Sequence, residues 1–376
     1  MTKRLMIPVS RPVVYPDDER FVHHYLSRGW VSSESPAVSD FEISLANKFH
    51  RKFAVAVSSG TAALELAFRS LEIGPSDEVI MPSFTIISCA QAVTKLGATP
   101  VFMDSNLRDF NAKVEDIESL ITHKTKAILA VHTYGLPAKV EILAGVARKH
   151  DLFLIEDAAE VIGAEVNGKA CGSFGDISIM SFYANKHIST GEGGAVLTNS
   201  PVLANKVKYF RNLCFQPERR FLHSDIGWNY RLAGLQAALG LGQILNLEKT
   251  LARKKSIGQL YDNLLQNVES VWLPLSSQDS NKNCYWVYPV VLKPELKISA
   301  REIIIGLAEL GVEARPFFHP LHTQPALKPL LKKNQIECMN AEYLGERGFY
   351  LPSGVGNTDE EISFSAEALK RVIHGI

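Results

Sequence analysis

Seven short apolar runs between residues 53 and 198, separated by stretches of helical period, restrict the fold more than any other feature of the chain. Phe53–Ser58, Glu78–Met81, Pro100–Met103, Ala127–His132, Leu152–Ile155, Ile177–Phe182 and Gly194–Thr198 are too short and too β-branched for buried helices and are predicted to be strands. Helical patterns fall between several of them, notably from Ser59 through Ala67, over Ile86–Leu96 and over Lys139–His150. Strands that alternate with helices imply right-handed crossovers, hence an α/β fold with a mostly parallel central sheet and helices on both faces. In such a sheet, ligands meet the carboxyl ends of the strands.

The flanks read differently. Asp17–Ser27 is amphipathic, Arg28–Ser33 is a turn carrying an exposed Trp30, and Val38–His50 places Phe41, Leu45 and Phe49 on one helical face. Leu232, Leu235 and Leu239 recur at helical spacing and lead into the charged segment Lys249–Lys255; Gly240 and Gly242 weaken a continuous helix there, and the stretch is still expected to be largely helical and to link two domains. Beyond the polar loop Ser276–Asn283, the chain reads as a strand over Tyr285–Leu292, a helix over Arg301–Leu310, a strand over Val312–Phe318, and terminal helices on either side of Pro352. A chain of 376 residues exceeds one ordinary core. The expected division is a large α/β domain, 1–249, and a small C-terminal α+β domain, 250–376.

Forty basic residues balance forty acidic ones without a long block of either sign, which gives no electrostatic support to a nucleic-acid or membrane-surface partner. The five cysteines are odd in number and widely spaced, with no C-x-x-C pair, a pattern that suits a reducing compartment and argues against structural zinc. Lys3 and Arg4 precede an apolar run that Pro8 breaks too soon for a signal-peptide core, and the expected location is the cytoplasm.

Three stretches carry chemistry. Lys186 lies between an apolar, aromatic run and a glycine-rich turn, Ser181 to Gly194, whereas a surface lysine ordinarily has charged neighbours. An amine held there and partly desolvated suits Schiff-base formation; on this stretch alone, a lysine at a strand end facing solvent is equally open. Ser59-Gly60-Thr61 stands where a strand hands over to a helix, so free N–H groups and the helix dipole suit a phosphate there, or else Ser59 simply caps the helix. No Walker or dinucleotide-binding glycine motif occurs, which counts against ATP and NAD. Glu156-Asp157-Ala158-Ala159-Glu160 puts acids at a strand's carboxyl end, with two alanines leaving room for a flat ring; a capping box is the structural alternative. No clustered His/Cys set supports a metal. An anion site, an acid and an amine in this order match pyridoxal 5'-phosphate, which needs donors for its phosphate, a carboxylate for its ring nitrogen and an amine for its aldehyde.

These stretches, together with Gly29–Ser32, Val57–Leu64, Pro82–Thr85, Val131–Gly135, Gly172–Asp176 and Trp228–Leu232, resemble the DegT/DnrJ/EryC1/StrS sugar aminotransferases, and the resemblance runs through nearly the whole chain. It implies the fold type I, aspartate aminotransferase-like architecture. By the same resemblance, Lys186 bonds the cofactor and moves the proton, Asp157 pairs with the ring nitrogen, and Glu160 stands near the phenolic oxygen where many members carry glutamine. Gly60, Thr61 and Ser181 are implied to hold the phosphate, with Asn229 reaching in from a second copy in a homodimer. Ile86 stands where the family usually has an aromatic residue over the ring, so the expected cover is aliphatic, with Phe84 as the alternative.

For the substrate, the resemblance offers Trp30, Arg231, Arg315 and His319, the last two from a segment similar to the perosamine-synthase branch; packing of the small domain is the structural reading of that segment. The implied reaction moves the amino group of L-glutamate, which leaves as 2-oxoglutarate, to an oxidised sugar for surface polysaccharide or lipopolysaccharide. GDP-4-keto-6-deoxymannose is one implied acceptor and an oxidised eight-carbon sugar acid of the 3-deoxy-octulosonate type another. A dehydratase offshoot of the family replaces the lysine with histidine; here Lys186 is kept beside His187, which favours transamination over dehydration or a non-catalytic regulatory role.

Overall fold

The computed structural model describes residues 6–279, 281–331 and 337–375. Lys3, Arg4 and Ser280 of the expected polar loop lie outside the described residues. The main sheet has seven strands in the order Phe53–Val57, Gly194–Thr198, Ile177–Ser181, Phe153–Asp157, Thr125–Val131, Glu78–Pro82 and Thr99–Met103. Gly194–Thr198 alone runs against its two neighbours; the remaining pairs are parallel. The strands are buried on both faces because helices cover both. Gly60–Ser70 and Ser88–Lys95 pack on one side, and Pro36–Lys48 and Val140–Lys149 on the other. The α/β, mostly parallel architecture is thus present, with each expected strand of this sheet in place.

A helix starts at Ser88 where the sequence predicted Ile86. Ile86 is left half-exposed at the end of strand Glu78–Pro82, where it reaches the site described below. Gly240 and Gly242 do not interrupt their helix, which runs unbroken over Gly234–Leu245. They permit close approach: a Cβ on Gly240 would lie 2.6 Å from Cε2 of Phe41, and one on Gly242 would meet Asp18. Gly240→Ala is therefore expected to lower the melting temperature, since overpacking costs about 1–3 kcal/mol and exceeds the roughly 1 kcal/mol gained in helix propensity. A raised melting temperature would show that the Phe41 contact yields freely.

The next helix, Leu247–Leu265, passes through residues 249 and 250 without a break. Beyond it, Val271–Trp272, Tyr288–Leu292, Gly348–Leu351 and Arg315–Pro316 form a four-stranded antiparallel sheet in that order. Two expectations need correction here. The strand expected over Val312–Phe318 pairs only at Arg315–Pro316, because Pro316 has no N–H to give and Val312 bridges Ile7 instead. The segment before Pro352 is not all helix: Met339–Arg347 hands over directly to Gly348–Leu351, where glycine is needed because a Cβ would meet the ring of Phe317. Residues 7–11 run along this second unit, with Ile7 bridging Val312 and Arg11 paired to Glu361 at 2.8 Å.

Candidate active site

A cavity of about 420 Å³ opens at the carboxyl ends of the parallel strands. Gly60, Thr61, Ile86, Asp157, Glu160, Ser181 and Lys186 all line it, so seven residues scattered over 127 positions of sequence share one space.

Lys186 follows strand Ile177–Ser181 on a loop that folds back on itself: Phe182 N–H donates to Gly193 O at 2.8 Å and Thr190 N–H to Phe182 O at 2.9 Å. Gly193, at φ 159°, meets the Thr190 hydroxyl so closely that no larger residue fits, which explains the glycine run after the lysine. The Lys186 side chain is 9% exposed. Its Nζ stands 3.6 Å from Glu160 Oε1 and 3.5 Å from the centre of the Trp286 ring. Burial pushes its pKa below the usual lysine range, against the pull of Glu160 and Asp157. Burial likewise pushes Glu160 up, to about 7, with Lys186 opposing the rise. The other oxygen of Glu160 accepts the Tyr134 N–H at 2.9 Å, aimed there by a left-handed Tyr134 at φ 58°.

Asp157 ends its strand 4% exposed. Oδ1 accepts the Ala159 N–H at 3.0 Å and Oδ2 the Cys89 thiol at 3.6 Å, leaving acceptor capacity toward the cavity. Burial raises its pKa, opposed by the Ala159 N–H and by Lys186. Glu156, one residue earlier, faces the other side of the sheet, as strand period requires. It accepts His132 Nε2–H at 3.0 Å and the Phe174 N–H at 2.8 Å, and His132 Nδ1 accepts the Ala138 N–H at 2.9 Å. His132, Glu156 and Cys171 come close together, but these hydrogen bonds occupy the imidazole and carboxylate atoms that a metal would need.

Both readings of Ser59-Gly60-Thr61 hold at once. Ser59 caps the helix, accepting the Ala62 N–H at 3.0 Å, while Gly60 brings the helix start against Ser181, where a Cβ would come within 2.9 Å of the serine's own Cβ. Thr61 and Ser88 share a hydroxyl hydrogen bond of 2.9 Å at the same rim. An aromatic aldehyde with a ring nitrogen and a phosphate, as in pyridoxal phosphate, fits these groups: a buried amine, a buried acid with a free lone pair, and a cradle at a helix N-terminus that only glycine permits. Ile86 faces this cavity, whereas Phe84 is fully buried against Tyr134, Phe317 and Phe318 and does not.

The remaining expected residues stand elsewhere in this chain. Asn229 is exposed and bridged to Asn212, and Arg231 holds Asn212 Oδ1 at 2.7 Å beside a separate cavity of about 230 Å³. Trp30 is 41% exposed and does not line the main cavity. Arg315 is exposed and tied to Glu313 at 2.6 Å, and His319 is exposed and bonded to Thr323 at 3.0 Å. The second unit supplies Trp286, Phe318 and Tyr350 to the cavity wall instead, none of which the sequence singled out. Trp286 is the nearest of these to the amine. Its Nε1–H donates to Asn185 O at 3.1 Å, and its own carbonyl accepts from the buried Lys254 Nζ at 2.7 Å.

Comparison with known proteins agrees with this geometry. The chain is 37% identical to a GDP-perosamine synthase of Caulobacter vibrioides over 98% of both proteins, and 36% identical to one of Escherichia coli O157:H7 over 96% of this chain and 97% of that protein. A Streptococcus pneumoniae structure solved in its PLP form superposes with a TM-score of 0.90 at 26% identity, covering 98% of this chain and 99% of that one. The DegT/DnrJ/EryC1/StrS aminotransferase family model matches residues 15–370. With its fold, cavity and relatives in accord, the chain belongs to the DegT/DnrJ/EryC1/StrS aminotransferase family and is a pyridoxal-phosphate-dependent sugar aminotransferase.

Proposed function

We propose that this enzyme transfers the amino group of L-glutamate to an oxidised nucleotide sugar, GDP-4-keto-6-deoxymannose first among the candidates, through Lys186 as the catalytic residue. The observation that carries the reading is the buried amine of Lys186, set 3.6 Å from Glu160 in the cavity that Asp157 also lines. When bound, pyridoxal phosphate supplies an aldehyde for an amine and a ring that accepts the electron pair left on the donor carbon. The Nζ of Lys186 takes the proton from that carbon and later gives one to the sugar carbon that receives the amine. Glu160 shares its proton balance, and its depressed acidity suits exchange near neutral pH. Asp157 holds the ring nitrogen in its protonated form. Gly60, Thr61 and Ser181 receive the phosphate, and Ile86 covers the ring. Trp286, Phe318 and Tyr350 keep water from the amine.

Asn229 is exposed and outside its own chain's cavity, which supports a homodimer in which it completes the phosphate site of the other copy. Arg231 and Trp30 also stand outside this chain's own cavity, and the same reading has them meet a substrate carboxylate or sugar from the other copy. Among the described residues, no helix is long and apolar enough to cross a membrane.

The test is a half reaction. Purified holoenzyme given glutamate alone should form one equivalent each of 2-oxoglutarate and pyridoxamine phosphate per site. GDP-4-keto-6-deoxymannose should then restore the starting absorbance, and the oxidised eight-carbon sugar acid should not. No 2-oxoglutarate from a fully loaded enzyme would reject glutamate as donor. Restoration by the sugar acid alone would reassign the acceptor.

A further inference from the structure

The reaction leaves Lys186 free in half of each cycle, when the amino group rides on the cofactor. A buried amine in that state needs partners, and few are in reach. Glu160 Oε1 at 3.6 Å is beyond hydrogen-bond distance, and Asp157 faces the same cavity without contacting Nζ. From the opposite side comes the second unit, with Cys284 and Trp286. The indole of Trp286 lies directly under the amine, its centre 3.5 Å from Nζ.

We propose that Trp286 is a positioning residue that holds the free amine of Lys186, the face of its indole taking the ammonium group whenever Lys186 is not bonded to the cofactor. The inference rests on Lys186 being the lysine that bonds pyridoxal phosphate. The ring is built for this place rather than resting there by chance. Nε1–H is anchored on Asn185 O at 3.1 Å, the residue immediately before the lysine, so ring and amine keep one spacing. The main chain of Trp286 is fixed from behind by Lys254, whose Nζ donates at 2.7 Å to Trp286 O and at 2.5 Å to Ser353 O. The ring also stacks on Tyr134 at 6.0 Å and 29°. Tyr134 is also the donor that aims Glu160, so one aromatic pair carries both partners of the amine. Trp286 is 6% exposed, which removes the water that weakens cation–π attraction at a surface.

The experiment uses holoenzyme equilibrated with fixed ratios of glutamate and 2-oxoglutarate, and absorbance reads the proportion of cofactor in its pyridoxal and pyridoxamine forms. Only the pyridoxamine form has Lys186 free. Trp286→Leu should shift the balance toward the pyridoxal form by about 10-fold, the scale of a desolvated cation–π contact, whereas Trp286→Phe should shift it by less than about threefold. Should the leucine variant fail to fold, replacing the chain's four tryptophans with fluorinated analogues keeps the shape while draining charge from the ring face. The balance should then move stepwise with each added fluorine, and not at all in Trp286→Phe protein. A balance unmoved by fluorination, or moved equally in the phenylalanine background, overturns the role of the indole. If borohydride fixes no cofactor on Lys186 of the unaltered enzyme, the reading of Lys186 fails first and this inference with it.

Discussion

Lys186→Ala should lose at least about 10⁴-fold in kcat, because one substitution removes both the nucleophile and the group that carries the proton. The structure makes this a choice between two lysines. Lys254 is also buried, and burial pushes its pKa down to about 7, as a reactive amine would require. Its hydrogens, however, are engaged by the Trp286 and Ser353 carbonyls, and it does not line the main cavity. Among the described residues, the amine of Lys186 makes the long approach to Glu160 and the contact with Trp286 and no closer hydrogen bond, so it remains available. Borohydride reduction of the holoenzyme, followed by peptide mass analysis, should therefore place the cofactor on Lys186 and leave Lys254 unmodified. In Lys186→Ala protein no covalent adduct should form, and a small added amine should restore part of the proton transfer. Retention of more than about 1% of kcat, or an adduct on Lys254, would overturn the assignment.

What the sequence disclosed follows from how local each signal is. A parallel strand buried on both faces is a continuous apolar run, and a strand end carrying Asp157 or Lys186 is visible a few residues away. Gly60 and Gly193 were legible as glycines with a purpose, since both stand beside the residues they serve. The helix through Gly240 and Gly242 was legible from its apolar spacing, but the reason for the two glycines was not: propensity treats glycine as a helix weakener, while here each lets a partner come closer than a Cβ would allow. Gly348–Leu351 went unseen because no turn separates it from the preceding helix. The wall made by Trp286, Phe318 and Tyr350 was out of reach for another reason. These residues meet Lys186 only after the second sheet folds over the first, and no spacing in the chain encodes that contact. Arg315 and His319 were offered by the resemblance of their segment to the perosamine-synthase branch, yet the neighbouring Phe318 is the side chain of that segment that reaches the cavity.

Asp157→Asn should lower kcat by about 10³-fold while leaving the fold intact, the size of effect found when one preorganised electrostatic partner is removed. The variant keeps the shape of the side chain, and its amide oxygen still accepts the Ala159 N–H that now stands 3.0 Å from Oδ1. What it loses is the negative charge that we propose faces the ring nitrogen. Burial holds that charge at a cost in the chain without cofactor, which raises the pKa of Asp157, with an N–H, a thiol and the more distant Lys186 and His132 in partial compensation. A protonated ring nitrogen repays the cost with a charge-assisted hydrogen bond, which the amide does not reproduce. The consequence is a split that a merely structural residue would not show. Without cofactor, Asp157→Asn should melt at or above the temperature of the unaltered chain, since a desolvated charge is gone. With cofactor it should melt lower, and it should hold pyridoxal phosphate about 10- to 100-fold more weakly, as expected for one lost hydrogen bond to a charged group. If both forms lost stability equally, Asp157 would be a strand-end cap, as its bond to Ala159 allows, and the ring nitrogen would have to find its partner elsewhere in the cavity.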